Sequence, residues 1–76
     1  MAYTVGGNVT GNRNVRVYLE KNGSVVENKF SVPGTFTFST QFNAGDGYKV
    51  LGPNISNPSG TIGTSNVTNV GVSAPT

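Results

Sequence analysis

The stretch PGTFTFSTQFNAGDGYKV, Pro33 to Val50, sets Phe36, Phe38, Phe42, Tyr48 and Val50 on even positions with mostly small or polar residues between them. A period of two marks a strand with one buried face, because successive side chains point to opposite sides of a sheet. Pro33-Gly34 opens the stretch as the centre of a type II turn, proline fixing φ at the first central position and glycine accepting positive φ at the second. Asn43-Ala44-Gly45-Asp46-Gly47 interrupts it as a loop, and Tyr48-Lys49-Val50 follows as a short strand closed by Gly52-Pro53. Phe36 and Phe38 therefore read as the inner wall of a small β-sandwich. Phe42 and Tyr48, at the loop end, are the aromatics placed closest to where a ligand could touch.

The same period extends outward in both directions. Tyr3, Val5, Gly7 and Val9 alternate with Thr4, Gly6, Asn8 and Thr10, which makes a first strand ending at Gly11-Asn12. Val15, Val17 and Leu19 alternate with Arg16, Tyr18 and Glu20, so one face of the second strand is aliphatic and the other carries charge and a phenol. Asn22-Gly23 suits a two-residue type I′ turn, and Val26, Phe30 and Val32 lie on the return strand of that hairpin. Pro53 to Pro58 excludes a central strand. Thr61 to Thr64 then forms a sixth strand, and Thr68, Val70, Val72 and Ala74 the inward side of a last one. The expected fold is all-β: a single small seven-stranded antiparallel β-sandwich spanning residues 1–76, with 73–76 as a tail or linker. Its expected core is Val5, Val9, Val17, Leu19, Phe30, Phe36, Phe38, Val50 and Val72.

With 76 residues the chain has room for one thin core, since a domain of this size removes only about 60% of its unfolded surface from water. It is 34% hydrophobic and 11% charged, too apolar for disorder and too rich in glycine for helices. Neither cysteine nor histidine occurs, so no disulfide, thiolate or imidazole site can hold the core together. The net charge of +2 comes from scattered residues without a basic run, which argues against a nucleic-acid footprint. No apolar run reaches the roughly 18 residues of a membrane span, and the first residues lack the basic and apolar regions of a signal peptide.

The order TVGGNVTG, NVRVYLEKNG, GTFTFSTQFNAGDGYKV, SGTIGTSNVTNVGVS resembles a family of bacterial and phage surface domains, the carboxypeptidase-regulatory-like repeats. The resemblance rests on Gly7 to Gly11, Gly34 to Phe38, Gly45 to Val50 and Asn66 to Val70, in that order. It implies a prealbumin-like or immunoglobulin-like sandwich whose alternating aromatics are core. The family often carries one cysteine around Asn54-Ile55 and one near Ala74, and neither is present here. Related domains form a Lys–Asn isopeptide bond that needs a lysine on the first strand; Tyr3 to Thr10 contains none.

Catalysis finds little to work with. Without histidine or cysteine, the available bases are Glu20, Glu27, Asp46 and three lysines spread over different strands. Glu20 and Glu27 flank one tight hairpin and read as solvated charges rather than a glycosidase pair. Asp46 between two glycines reads as a turn-stabilising Asx residue, because calcium wants six to eight oxygens and no second acid is near in sequence. The N-x-S/T sequences at Asn8, Asn22, Asn54 and Asn66 are matches that a chain rich in these residues produces by chance.

The chain is accordingly expected to be a non-enzymatic structural or display module without cofactor or metal. In the leading reading it is an accessory protein of a phage virion, on the capsid or the tail. A starting methionine without an export signal fits a small protein made inside the cell and assembled outside. The alternative is a repeat of a bacterial adhesin at the cell surface, with carbohydrate as its ligand; a weak nucleic-acid binder using Arg13, Arg16, Lys21 and Lys29 ranks last. The expected partner is a protein lattice or another copy of the chain, with no membrane insertion. Its expected contact residues are Arg16, Tyr18 and Glu20 on the outward face of the second strand and Arg13 in the loop before it, because arginine and tyrosine dominate interface hot spots.

Overall fold

In a computed structural model, which describes residues 2–74, alternating aliphatic and polar residues carry the chain into eight strands: β1 (Val5–Thr10), β2 (Val15–Lys21), β3 (Ser24–Ser31), β4 (Gly34–Thr37), β5 (Gly47–Leu51), β6 (Ile55–Ser56), β7 (Ser59–Thr61) and β8 (Val67–Ser73). They form two four-stranded sheets, ordered β4-β1-β8-β6 and β3-β2-β5-β7, in a sandwich-like arrangement around one hydrophobic cluster. Among the described residues there is no helix, hence none long and apolar enough to cross a membrane.

Eight strands replace the expected seven. The extra one is the two-residue β6 between Pro53 and Pro58, which pairs with β8 alone at the sheet edge, where neighbouring prolines are tolerated. The strand expected at Thr61 to Thr64 lies earlier, as β7. Ile62 leaves that strand to enter the core, its N–H donating to the Asp46 carbonyl at 2.8 Å. Nor is the sandwich wholly antiparallel: β1 and β8 run parallel, Val9 opposite Val72. The first and last strands need no short connection between them, so the parallel geometry is open to them. Gly7 permits their close approach, since a Cβ there would fall on the Val70 carbonyl oxygen. Tyr3 lies outside β1, in an isolated bridge to Phe42.

The core consists of Val5, Val9, Val15, Val17, Leu19, Phe36, Phe38, Phe42, Val50, Ile62, Val70, Val72 and Ala74. Phe36 and Phe38 meet edge to face, with centroids 5.6 Å apart. Phe42 is fully buried and so is packing rather than a ligand contact, while Tyr48 is half-buried against the cluster. Thr68, expected to point inward, is exposed. Ser73 ends β8 and Ala74 is buried, so the expected tail begins no earlier than Pro75; residues 75–76 lie outside the described ones.

Phe30 is the one member of the expected core found outside it, 59% exposed. The Asn22-Gly23 turn has the positive φ values, 52° and 91°, that a type I′ hairpin requires. Lys21 faces Ser24 and Glu20 faces Val25, but Leu19 faces Glu27: one extra residue, Val26, is accommodated in β3. Such a bulge shifts the remaining register by one, and because side chains alternate with period two it turns every later residue of β3 to the other face. Glu27, Lys29 and Ser31 thereby share the inward side with Leu19, Val17 and Val15, and Phe30 turns out beside Arg16.

Candidate interaction face

The outer face of the sheet β3-β2-β5-β7 carries most of the exposed large hydrophobic side chains among the described residues. Arg16 sits opposite Phe30, Tyr18 between Asn28 and Leu51, and Glu20 between Val25 and Lys49. The Arg16 guanidinium donates to Asn28 Oδ1 at 2.7 Å and lies over the Phe30 ring, 5.4 Å from its centroid. A cation stacked on an aromatic face is held flat and keeps its remaining donors outward. Tyr18 is 39% exposed, a half-covered ring with its hydroxyl free to reach a partner. Among the described residues, the exposed large hydrophobic ones, namely Tyr18, Val25, Val26, Phe30 and Val32, lie on the β2–β3 hairpin or at the residue after it.

Arg16, Tyr18 and Glu20 are thus placed together on one face of β2. Arg13 is not placed with them by any hydrogen bond or ion pair; it lies in the exposed connection 11–14 between β1 and β2. Sequence reasoning missed Phe30 and Asn28, which complete the patch. The signal that could have found them is charge: counting back from the Lys21–Ser24 closing pair without a bulge sets Arg16 against Lys29, and like charges directly opposite are unfavourable.

Two of the three carboxylates, Glu27 and Asp46, are committed elsewhere. Glu27, far from being a solvated hairpin charge, reaches across to the segment after β4. Its Oε2 accepts from the Ser39 N–H and hydroxyl at 3.0 Å each, and its Oε1 from the Thr40 N–H and hydroxyl at 2.7 Å each. Partial burial raises the pKa of Glu27, but the Ser39 and Thr40 hydrogen bonds together outweigh it and hold the group below the ordinary glutamate value. Asp46 accepts from the Asn43 N–H at 2.8 Å and from the Asn22 side chain at 3.2 Å, with the Lys21 ammonium 3.8 Å away. The Asn43 amide, then Asn22, then the charge of Lys21 lower its pKa against a desolvation cost. Asn22 returns the connection by accepting from the Gly47 N–H at 2.9 Å. Glu27 and Asp46 therefore serve as loop staples.

Beside that turn lies a shallow open depression of about 420 Å³, lined by Glu20, Asn22, Tyr48, Lys49 and small residues of β7. Compared with known protein families, curated proteins and solved structures, the chain matches none of them.

Proposed function

We propose that the chain is a non-catalytic structural module that attaches to a larger assembly through the outer face of β3-β2-β5-β7, as an accessory protein on the capsid or tail of a phage virion. The observation that carries the reading is that, among the described residues, the exposed large hydrophobic side chains all lie on the β2–β3 hairpin or at Val32 just after it. Soluble monomers scatter such residues, and a contiguous group rimmed by polar side chains is the usual mark of a protein contact. Arg16 stacked on Phe30 with Tyr18 beside it has the composition of an interface centre. Commitment of Glu27 and Asp46 to loop hydrogen bonds, in a chain without histidine or cysteine, supports the non-enzymatic part.

The resemblance to bacterial and phage surface domains agrees with this role and with a place on a virion or cell surface. Of the two sandwich types it implies, the prealbumin-like one is better supported. An immunoglobulin constant-type sandwich keeps its first two strands in one sheet, whereas β1 and β2 lie in different sheets.

A glycan-binding repeat of a bacterial adhesin is the second reading, and it draws on the depression lined by Glu20, Asn22, Tyr48 and Lys49. One experiment separates the two. The variant Arg16→Ala/Tyr18→Ala/Phe30→Ala keeps its melting temperature and loses about 2 kcal/mol or more of attachment to stripped virions or cell surfaces. Undiminished occupancy refutes the proposed face, and specific retention on a sugar array, lost on Tyr48→Ala, establishes the second reading instead.

A further inference from the structure

Each sheet has two free edges, and they differ greatly in length. β4 has 4 residues, β6 has 2 and β7 has 3, whereas β3 runs for 8. Short edge strands are a recognised protection against pairing with another chain, and β3 does not have that protection. Its exposed side chains include Val25, Val26 and Phe30, with Val32 immediately beyond.

The backbone of this edge can be followed by alternation. The Asn22 N–H donates to the Gly47 carbonyl and the Val50 N–H to the Pro58 carbonyl, so Glu20 and Tyr18 turn their backbone groups toward β5, and Leu19 and Val17 toward β3. The residues opposite them, Glu27 and Lys29, are therefore bonded to β2. Asn28 and Phe30 point their N–H and C=O groups away from the sheet, where no backbone partner meets them among the described residues.

We propose that β3 is completed by β3 of a second copy, antiparallel about a two-fold axis at Asn28, joining the two β3-β2-β5-β7 sheets into one. In this register Asn28 exchanges backbone hydrogen bonds with Asn28 of the second copy, and the pairing runs from Val26 to Phe30, ending where the bulge puts Ser24 and Val25 out of phase with it. Glu27 then faces Lys29 of the second copy, and Lys29 faces its Glu27. Lys29 makes no ion pair within the chain among the described residues, so it has charge to offer. Val26 and Phe30 likewise face each other across the axis. Registers centred one residue away, on Glu27 or Lys29, would set like charges opposite at the axis itself. The sequence Val26-Glu27-Asn28-Lys29-Phe30 is thus complementary to its own reverse, which is what a two-fold interface demands of a single chain and what a foreign strand would have no reason to match.

The edge uses the outward backbone groups of β3 and the outer face uses side chains, so although Asn28 and Phe30 belong to both, dimerisation and attachment are read by different measurements and fail separately. Pairing places two Arg16–Phe30 patches side by side on one continuous sheet surface, so a dimer would attach bivalently. The buried area is that of one strand edge, well below a standard interface, so exchange with monomer at micromolar concentration is expected.

Sedimentation velocity of the full chain across a dilution series reads the association directly, with a monomer–dimer shift expected at high micromolar concentration. Asn28→Pro removes an N–H that the monomer does not use and abolishes the shift, whereas Asn28→Ala, which loses the same side-chain bond to Arg16 but keeps that N–H, leaves the shift in place. Asn28→Cys supplies a second measurement in a chain that otherwise has no cysteine. Hydrogen-bonded antiparallel partners have Cα atoms about 5.5 Å apart, within reach of a disulfide. Mild oxidation should therefore yield covalent dimer about tenfold or more faster than for Asn12→Cys in the exposed β1–β2 connection. A wild-type chain that stays monomeric, a dimer that survives Asn28→Pro, or equal cross-linking at positions 28 and 12 would each overturn the proposal.

Discussion

Removing the Glu27 carboxylate should loosen the joint between the β2–β3 hairpin and the segment that follows β4. It accepts four hydrogen bonds from Ser39 and Thr40, at 2.7 to 3.0 Å, and they tie β3 to this segment, while Lys21 at the other end of the hairpin donates to the Gln41 carbonyl at 2.9 Å. Bonds to a charged acceptor contribute about 1.5–3 kcal/mol each when fully buried, but this group is partly exposed and water can replace part of what is lost. We therefore expect Glu27→Ala to cost about 2 kcal/mol in total, which in a domain of this size lowers Tm by about 10 °C. Glu27→Gln keeps the shape but turns an NH2 group toward two donors, and should cost about half as much or more. Urea denaturation reads both. Acid provides the sharper check. The folded-state pKa lies below its ordinary value of 4.5, so the contribution is fully present above that value and disappears as pH falls through the folded one. The stability gap between wild type and Glu27→Gln should narrow over that interval, while Asp46, also lowered, leaves a common slope in both proteins. Equal urea midpoints at neutral pH, or a gap that does not close on acidification, would refute the staple.

Two further substitutions probe the sandwich itself. Phe38 is fully buried and packs edge to face on Phe36, so Phe38→Ala should cost about 3–5 kcal/mol, enough to unfold a small domain at ambient temperature; circular dichroism at rest checks it. Gly7→Ala would drive a Cβ into the Val70 carbonyl of the parallel neighbour and should cost about 3 kcal/mol through separation of β1 from β8, visible as faster hydrogen exchange in both strands.

What could be read from the residues alone was local. Val5 and Val9, Val17 and Leu19, Phe36 and Phe38 announce their strands by alternation, and all six are buried. Asn22-Gly23 announces its turn, with positive φ at both positions. The parallel pairing of β1 with β8 joins residues some sixty positions apart, and nothing in a period of two within either strand distinguishes a parallel neighbour from an antiparallel one. β6 is too short to have a period at all.

The hairpin shows why the candidate site was only half legible. Arg16, Tyr18 and Glu20 belong to a strand whose register begins at the turn and stays regular, so their outward direction follows from the sequence. Phe30 belongs to the strand after the bulge, where one added residue exchanges the two faces. Without the bulge, Phe30 would lie opposite Val15 on the inner face, but Arg16 would meet Lys29 and Glu27 would point out beside Tyr18. With it, Phe30 is exposed, Arg16 gains a stacking partner, and Glu27 gains four donors on the inward side. Those donors come from Ser39 and Thr40, on a segment whose proximity to β3 only the assembled sandwich creates. The register of β3 is therefore set by a tertiary contact, and the apolar face it leaves exposed is where the chain has most to gain from a partner.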